Sequence, residues 1–314
     1  MSVISLDEFL NNSPFPRFIQ FETSTVCNAK CLMCPHDKMK RSGTAKWSTI
    51  TKIIREVGYR VDAICPFLMQ EPMLEPRLAS ILANIKQYNS AITTMIYSNL
   101  SILHKDIEKI IKLGLLDTLE ISFYGPTEQL YKKWQPPLNR DKTIANIKRV
   151  KALRDRLKRT KPKIEIHVLS IPEIMDNVWG YKEVAAYVDK ITNVQFDTFH
   201  GDIPDLAGDQ TQYLGRPQPR TPCARLWTGV NIHFDGSVVP CCIDYNDEHV
   251  MGNVNDNTLD EIWNGKKFKR FRKLHIDRKW DKIKMCKNCT VHEYQFGNEW
   301  ITFWENVKEA PICE

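Results

Sequence analysis

The sequence predicts an α/β fold: six βα units that build a parallel sheet, then a smaller α+β part made of a β-hairpin and a helix. Two observations carry that expectation. Strand-like runs rich in β-branched and aromatic residues alternate with stretches of helical period as far as about residue 200, and such alternation is the mark of βα units. After Gly201 the pattern gives way to a Pro- and Gly-rich connector and a hairpin signal.

The first strand is RFIQFET from Arg17, which leaves residues 1–16 as an N-terminal extension. VDAICPFLM from Val61, AITTMIYS from Ala91, DTLEISFYG from Asp117, KIEIHVLSI from Lys163 and ITNVQFDTF from Ile191 complete the six. Between them Ile50, Ile53, Ile54 and Val57 recur with helical period, as do Leu78, Ile81, Leu82 and Ile85, and a long polar helix is expected from Lys142 to about Thr160. Parallel strands need both faces covered, so the units form either an open doubly wound sheet or a curved, barrel-like one. In either case function belongs at the C-terminal ends of the strands. The connector GDIPDLAGDQTQYLGRPQPRTP, residues 201–222, leads into GVNIHF and SVVPCC flanking the turn pair Asp235-Gly236. TLDE from Thr258 reads as a capping box opening a helix with Leu259, Ile262 and Trp263 on one face, and Gly265 ends its first segment. The expected parts are therefore 17–200 for the barrel, 201–222 for the linker and 223–314 for the second domain.

The chain has 314 residues, 42% of them hydrophobic, enough for a sizeable core. Its longest apolar stretches are only a handful of residues, too short for a membrane span, and the N-terminus lacks the apolar core of a secretory signal, so the cytoplasm is the expected location. The formal charge of +6 is mild, with basic residues concentrated in KRVKALRDRLKRTKPK from Lys148 and KKFKRFRKLHIDRKWDKIK from Lys266. Solvated faces of long helices explain such runs more simply than a nucleic-acid partner. Ten cysteines without an export signal point to metal or catalysis rather than to a disulfide framework.

Three of those cysteines, Cys27, Cys31 and Cys34, follow the first strand directly in VCNAKCLMCPH. Three thiolates can hold three corners of a cubane iron-sulfur cluster that ordinarily takes four, which leaves one iron open to a ligand. A zinc site with His36 as fourth ligand has the same sequence signature. CNAKCLMC resembles the signature of the radical SAM superfamily, and the stretch from about Arg17 to Phe199 fits a partial (βα)6 barrel of that kind. The resemblance implies that the open iron chelates the amino and carboxylate groups of S-adenosylmethionine (SAM), which the reduced cluster cleaves to methionine and a 5'-deoxyadenosyl radical. It also implies SAM contacts from Met33, from Met69-Gln70-Glu71-Pro72, where the family carries Gly-Gly-Glu-Pro, from Ser98 and Asn99 after the third strand, and from Ser122 after the fourth.

Cys223, Cys241, Cys286 and Cys289 form the second constellation, which by spacing alone suits either a zinc ribbon or a fully ligated cluster. The order of cysteine, Gly236 and cysteine, the GSVVPCC hairpin and the GNVNDNTLDEIWN helix resemble the SPASM or twitch extensions of radical SAM proteins. The full SPASM pattern has seven cysteines, and here only Cys313 follows Cys289, so the resemblance implies the shorter twitch form with one auxiliary 4Fe-4S cluster. Of the others, Cys65 is expected to be a small buried hydrophobe on its strand, and Cys242, beside a ligand, is the candidate hydrogen donor to a substrate radical.

The resemblance implies hydrogen-atom abstraction from an unactivated C–H. The favoured reaction is oxidation of a sugar or cyclitol carbinol with the auxiliary cluster as electron acceptor. The alternatives are a radical epimerase that uses a cysteine and a maturase that modifies peptides, though the strand near Arg17 leaves no room for the leader-gripping domain such maturases often carry. Flavodoxin or ferredoxin is the expected electron donor, docking on the basic helices. His167, Asp197 and His200 are candidates to face the cavity, and Trp300, Phe303 and Trp304 to cap it.

Overall fold

The computed structural model describes residues 15–215 and 220–291. Six strands, β1 (Phe18–Phe21), β2 (Ala63–Cys65), β3 (Thr93–Ser98), β4 (Thr118–Ser122), β5 (Lys163–Leu169) and β6 (Lys190–Val194), pair in parallel in chain order. The helices between them are α1 (Trp47–Val57), α2 (Leu78–Tyr88), α3 (Ile107–Lys112), α4 (Glu128–Trp134) and α5 (Arg140–Arg156). The apolar period expected of α1 is what it buries, Ile50, Ile53, Ile54 and Val57. Asn139 caps α5 by accepting from Lys142 N at 2.8 Å. The basic run from Lys148 is largely the outer side of α5, with Arg156 paired to Glu108 and Arg154 turned inward to Asp189. Between β5 and β6 the crossover consists of single turns rather than a full helix.

The part after residue 222 does not build a sheet of its own. Strand β7 (Gly229–Ile232) pairs in parallel with β1, Phe18 opposite Gly229 and Phe21 opposite Ile232, and β8 (Ser237–Val239) and β9 (Gly252–Asn253) follow antiparallel. One nine-stranded sheet results, in the order β6-β5-β4-β3-β2-β1-β7-β8-β9. The expected turn at Asp235-Gly236 is present with Gly236 at φ +92°, where an added Cβ would sit 2.3 Å from the Asn255 amide. The expected capping box also forms. Glu261 N donates to Thr258 Oγ1 at 3.2 Å and Thr258 N to Glu261 Oε2 at 2.8 Å, opening α6 (Leu259–Trp263), and α7 (Lys266–Ile276) follows Gly265. Trp263 and Phe268 are fully buried in one cluster with Ile19, Ile54 and Ile64 of the barrel. The hairpin and helices thus share the barrel's core, and removing either part would expose large apolar area on the other.

Period-two alternation separates the faces of the strands. Leu119, Ile121, Ile164 and Ile166 are wholly buried in the larger core. The residues between them, Glu120, Ser122 and His167, belong to the opposite, concave face, with Tyr97 in register with Glu120 and Ser122 with His167. No helix among the described residues is long and apolar enough to cross a membrane.

Candidate active site

A cavity of about 760 Å³ opens on that concave face. Cys27, Cys31 and Cys34 form one wall, and Arg225 and Cys242 from the region around the hairpin form another. Cys34 and Cys242 both pack against the small cluster of Leu68, Met69 and Tyr245, which brings the first cysteine loop and Cys242, the neighbour of Cys241, to a single chamber.

The cysteine loop is pinned by backbone bonds. Lys30 N donates to Pro136 O at 2.6 Å, Leu32 N to Trp134 O at 3.1 Å, and Glu71 N to Val26 O at 2.9 Å. Burial pushes all three thiols up, Cys34 to about 12, and the neighbouring cysteines add to it at Cys31 and Cys34 as Glu71 does at Cys27. Thiols pressed together in this way become thiolates only when a cation supplies the missing positive charge, and that donor set fits an iron-sulfur cluster. His36, the alternative fourth ligand, has Nε2 committed to Thr25 O at 2.7 Å. Among the described residues no three His, Cys, Asp or Glu side chains converge on one point as the ligands of a single metal ion would. A cubane asks for a looser set, since each thiolate takes its own iron.

Glu71 is the most committed of the expected SAM residues. It is 2% exposed and accepts from Met73 N at 2.9 Å, Ser98 Oγ at 2.7 Å and Asn99 N at 2.8 Å. Burial raises its carboxyl to about 7 despite those bonds. Met33, Ser98, Asn99 and Ser122 also reach the cavity wall, Asn99 being held through Nδ2 to Asn28 Oδ1 at 3.0 Å. Gln70 reaches the wall too, but its carboxamide is spent on the chain leading to the cysteines. Oε1 accepts from Thr23 N at 2.8 Å and Ser24 N at 3.0 Å, and Nε2 donates to Thr23 Oγ1. Pro72 is buried as the first residue of a 3-10 turn and is not among the residues on the cavity wall; its ring sets the turn that presents Glu71.

The other four cysteines gather beside the hairpin. The thiols of Cys286 and Cys289 are raised by burial and by Cys223, Cys289 to about 12, while Cys241 lies next to Cys242 and near Cys223. Here too the donor set is crowded thiols that need a polycation. All nine described cysteines are free, and Cys65 is wholly buried on β2 as its sequence context implies. Cys242 receives a hydrogen bond from Arg225 Nη1 at 2.9 Å.

His167 and Asp197 line the cavity, whereas His200 does not; its Nε2 lies 3.3 Å from Ile243 O and its ring stacks on Tyr245. Trp300, Phe303, Trp304 and Cys313 lie outside the described residues. Sequence reasoning missed Glu120, whose Oε2 is 2.9 Å from His167 Nε2 while the carboxylate is only 8% exposed. A signal was there, since Glu120 is a charge in the middle of an apolar strand. Arg225 was also missed, because nothing in the sequence around Cys223 tells which neighbouring side chain turns inward.

Comparison with known proteins agrees with this geometry. Residues 21–158 match the family model described as the radical SAM superfamily, and residues 223–290 that described as SPASM, an iron-sulfur cluster-binding domain. The chain is 41% identical over 54 residues to the S-adenosyl-L-methionine-dependent 2-deoxy-scyllo-inosamine dehydrogenase of Niallia circulans, a match spanning 17% of this chain and 22% of that one. A longer match, 22% identical over 317 residues, covers 85% of this chain and 83% of the cysteine-type anaerobic sulfatase-maturating enzyme of Clostridium novyi (strain NT). The crystal structure of BtrN in complex with AdoMet and 2-DOIA shares the fold with a TM-score of 0.61 at 17% identity, over 90% of this chain and 99% of that one. The two matched domains imply SAM, a 4Fe-4S cluster and an auxiliary cluster. The chain therefore carries a radical SAM domain followed by a SPASM iron-sulfur cluster-binding domain.

Proposed function

We propose that the protein oxidises a carbinol of a sugar or cyclitol, taking a hydrogen atom from its C–H and passing the leftover electron to the auxiliary cluster. The observation that carries this reading is one chamber with Cys27, Cys31 and Cys34 on one wall, Cys242 beside the proposed ligand Cys241 on another, and His167 with buried Glu120 behind it. Its volume lies in the range of small-molecule sites, about 300–1,000 Å³, which suits SAM beside one small substrate better than an extended peptide.

Cys27, Cys31 and Cys34 hold the first cluster in this proposal, and Cys223, Cys241, Cys286 and Cys289 the second. When bound, the first cluster and SAM supply the hydrogen-abstracting radical, and the second supplies a one-electron sink. Glu71 accepts from the SAM amino group: a carboxylate offers about four acceptor sites, and three are in use. Ser98 and Asn99 hold that carboxylate in place, Gln70 fixes the approach to the cysteine loop, and Met33 and Ser122 shape the wall. His167 takes the hydroxyl proton as the C–H hydrogen leaves, and the buried Glu120 carboxylate beside Nε2 steadies the imidazolium. The balance is then one hydrogen atom to the adenosyl carbon, one proton to His167 and one electron to the second cluster. The exposed Lys266 and Lys267 at the start of α7 offer an acidic flavodoxin or ferredoxin a docking face.

Cys242 supports a second reading, redox-neutral epimerisation, because it faces the chamber. The test is anaerobic turnover with 2-deoxy-scyllo-inosamine and related amino sugars, against a thiol-containing peptide, with ketone and 5'-deoxyadenosine counted together. Ketone and 5'-deoxyadenosine in equal amounts support oxidation. An epimer without ketone, or modification of the peptide alone, overturns it.

A further inference from the structure

Two guanidinium groups flank the four cysteines: Arg225 acts on Cys241 and Cys223, and Arg220 closes over the turn that carries Cys286 and Cys289. Its Nη2 donates to Cys286 O and its Nη1 to Lys287 O at 3.5 Å, so the fork closes over the last turn of the helical segment Lys284–Lys287. The guanidinium lies 4.7 Å above the Trp280 ring, which fixes its plane from the other side. Its charge acts on Cys289, Cys286 and Cys223, with Asp281 the carboxylate that opposes it. The other polar group on this side, His275, accepts from Cys223 N through Nδ1 at 3.1 Å, and burial together with Arg220 holds it neutral, its pKa brought down to about 4. Nearby Lys284 points to solvent and pairs with Glu248.

We propose that Arg220 sets the reduction potential of the auxiliary cluster, raising it so that the cluster accepts an electron from substrate. The inference rests on the proposal that Cys223, Cys241, Cys286 and Cys289 hold one cluster. Reduction adds a negative charge to a group already made negative by its thiolates, and the potential of such a cluster follows the net charge and burial around it. A guanidinium held at the Cys286 carbonyl and against the Trp280 ring, its charge felt by three of the proposed ligand thiols, stabilises the reduced form more than the oxidised one. Arginine suits the task because it stays charged under all working conditions, where a lysine in the same crevice can lose its proton. An arginine that only capped the short helical segment would secure the turn and leave the potential alone.

The experiment is an anaerobic redox titration of the full two-cluster chain followed by electron paramagnetic resonance, with SAM added so that the first cluster's signal is told apart by its shift. R220Q is expected to titrate at a clearly lower potential than wild type at unchanged iron content, and R220K between the two. An R220Q potential equal to wild type, with iron content intact, overturns the proposal. Where R220Q fails to hold the second cluster, R220H reads the charge within one protein. Its potential is expected to fall below the wild-type curve between about pH 6 and about pH 8, as the imidazolium loses its proton. A curve parallel to wild type overturns the proposal. Iron content below two clusters in wild type itself would instead reject the ligand assignment on which the inference stands.

Discussion

Replacing Glu71 with glutamine separates what this carboxylate costs the fold from what it gives the site. Burial lifts its pKa from 4.5 to about 7, so between those values the folded chain keeps a proton that the unfolded chain releases. Stability from this group is fully present below about pH 4.5 and is lost as pH rises through 7. At about 1.4 kcal/mol per pH unit the difference comes to about 3 kcal/mol. The amide of Glu71→Gln resembles the protonated acid. The apoprotein variant should therefore match wild type in anaerobic urea denaturation at pH 5 and exceed it by about 3 kcal/mol at pH 8. SAM binding should move the other way. Loss of a charge-assisted acceptor, worth about 2 kcal/mol, weakens SAM about 30-fold at pH 8 in equilibrium dialysis of the reconstituted enzyme. A variant less stable than wild type at pH 8 would show that the three hydrogen bonds outweigh burial. A variant that binds SAM as tightly as wild type would remove Glu71 from the SAM site.

His167→Asn should lower ketone formation by about 10²- to 10⁴-fold, the usual span for a general base, while 5'-deoxyadenosine is still released uncoupled from product; unchanged turnover by mass spectrometry would exclude His167. Gln70→Ala strips acceptors from the buried Thr23 and Ser24 amides and should cost about 2–3 kcal/mol, read as a lower urea midpoint, with iron lost first from the N-terminal cluster. A change below about 0.5 kcal/mol would mean that the loop stands without this tie. Cys65→Ala should keep full iron content and lose at most about 1 kcal/mol of stability; iron loss would make Cys65 a ligand.

The barrel was legible because its strands and helices advertise themselves. The apolar period over Ile50, Ile53, Ile54 and Val57 matches the buried face of α1, and the Thr258 to Glu261 box matches the start of α6. Both signals are local, written in spacing that the helix itself reads. What stayed hidden was non-local. No residue of GVNIHF says that it will pair with RFIQFET some two hundred positions earlier, yet the register of β7 on β1 makes the two parts one sheet. The cysteines likewise announce themselves by spacing, whereas the groups that act on them, Glu120 behind His167, Arg225 on Cys242 and Arg220 on Cys286, are fixed by tertiary approach. Gln70 marks the boundary between the two. The family motif points to SAM at that position, but a side chain in place of glycine finds the Thr23 and Ser24 amides first.

The account stands on two clusters in one chain, and iron and sulfide counted after anaerobic reconstitution test that most directly, in wild type and in a chain with Cys27, Cys31 and Cys34 changed to Ala. It predicts about eight irons falling to about four, the remainder held by Cys223, Cys241, Cys286 and Cys289. About four irons falling to none, with zinc at the second site, would leave the chamber without an internal electron acceptor and would contradict it.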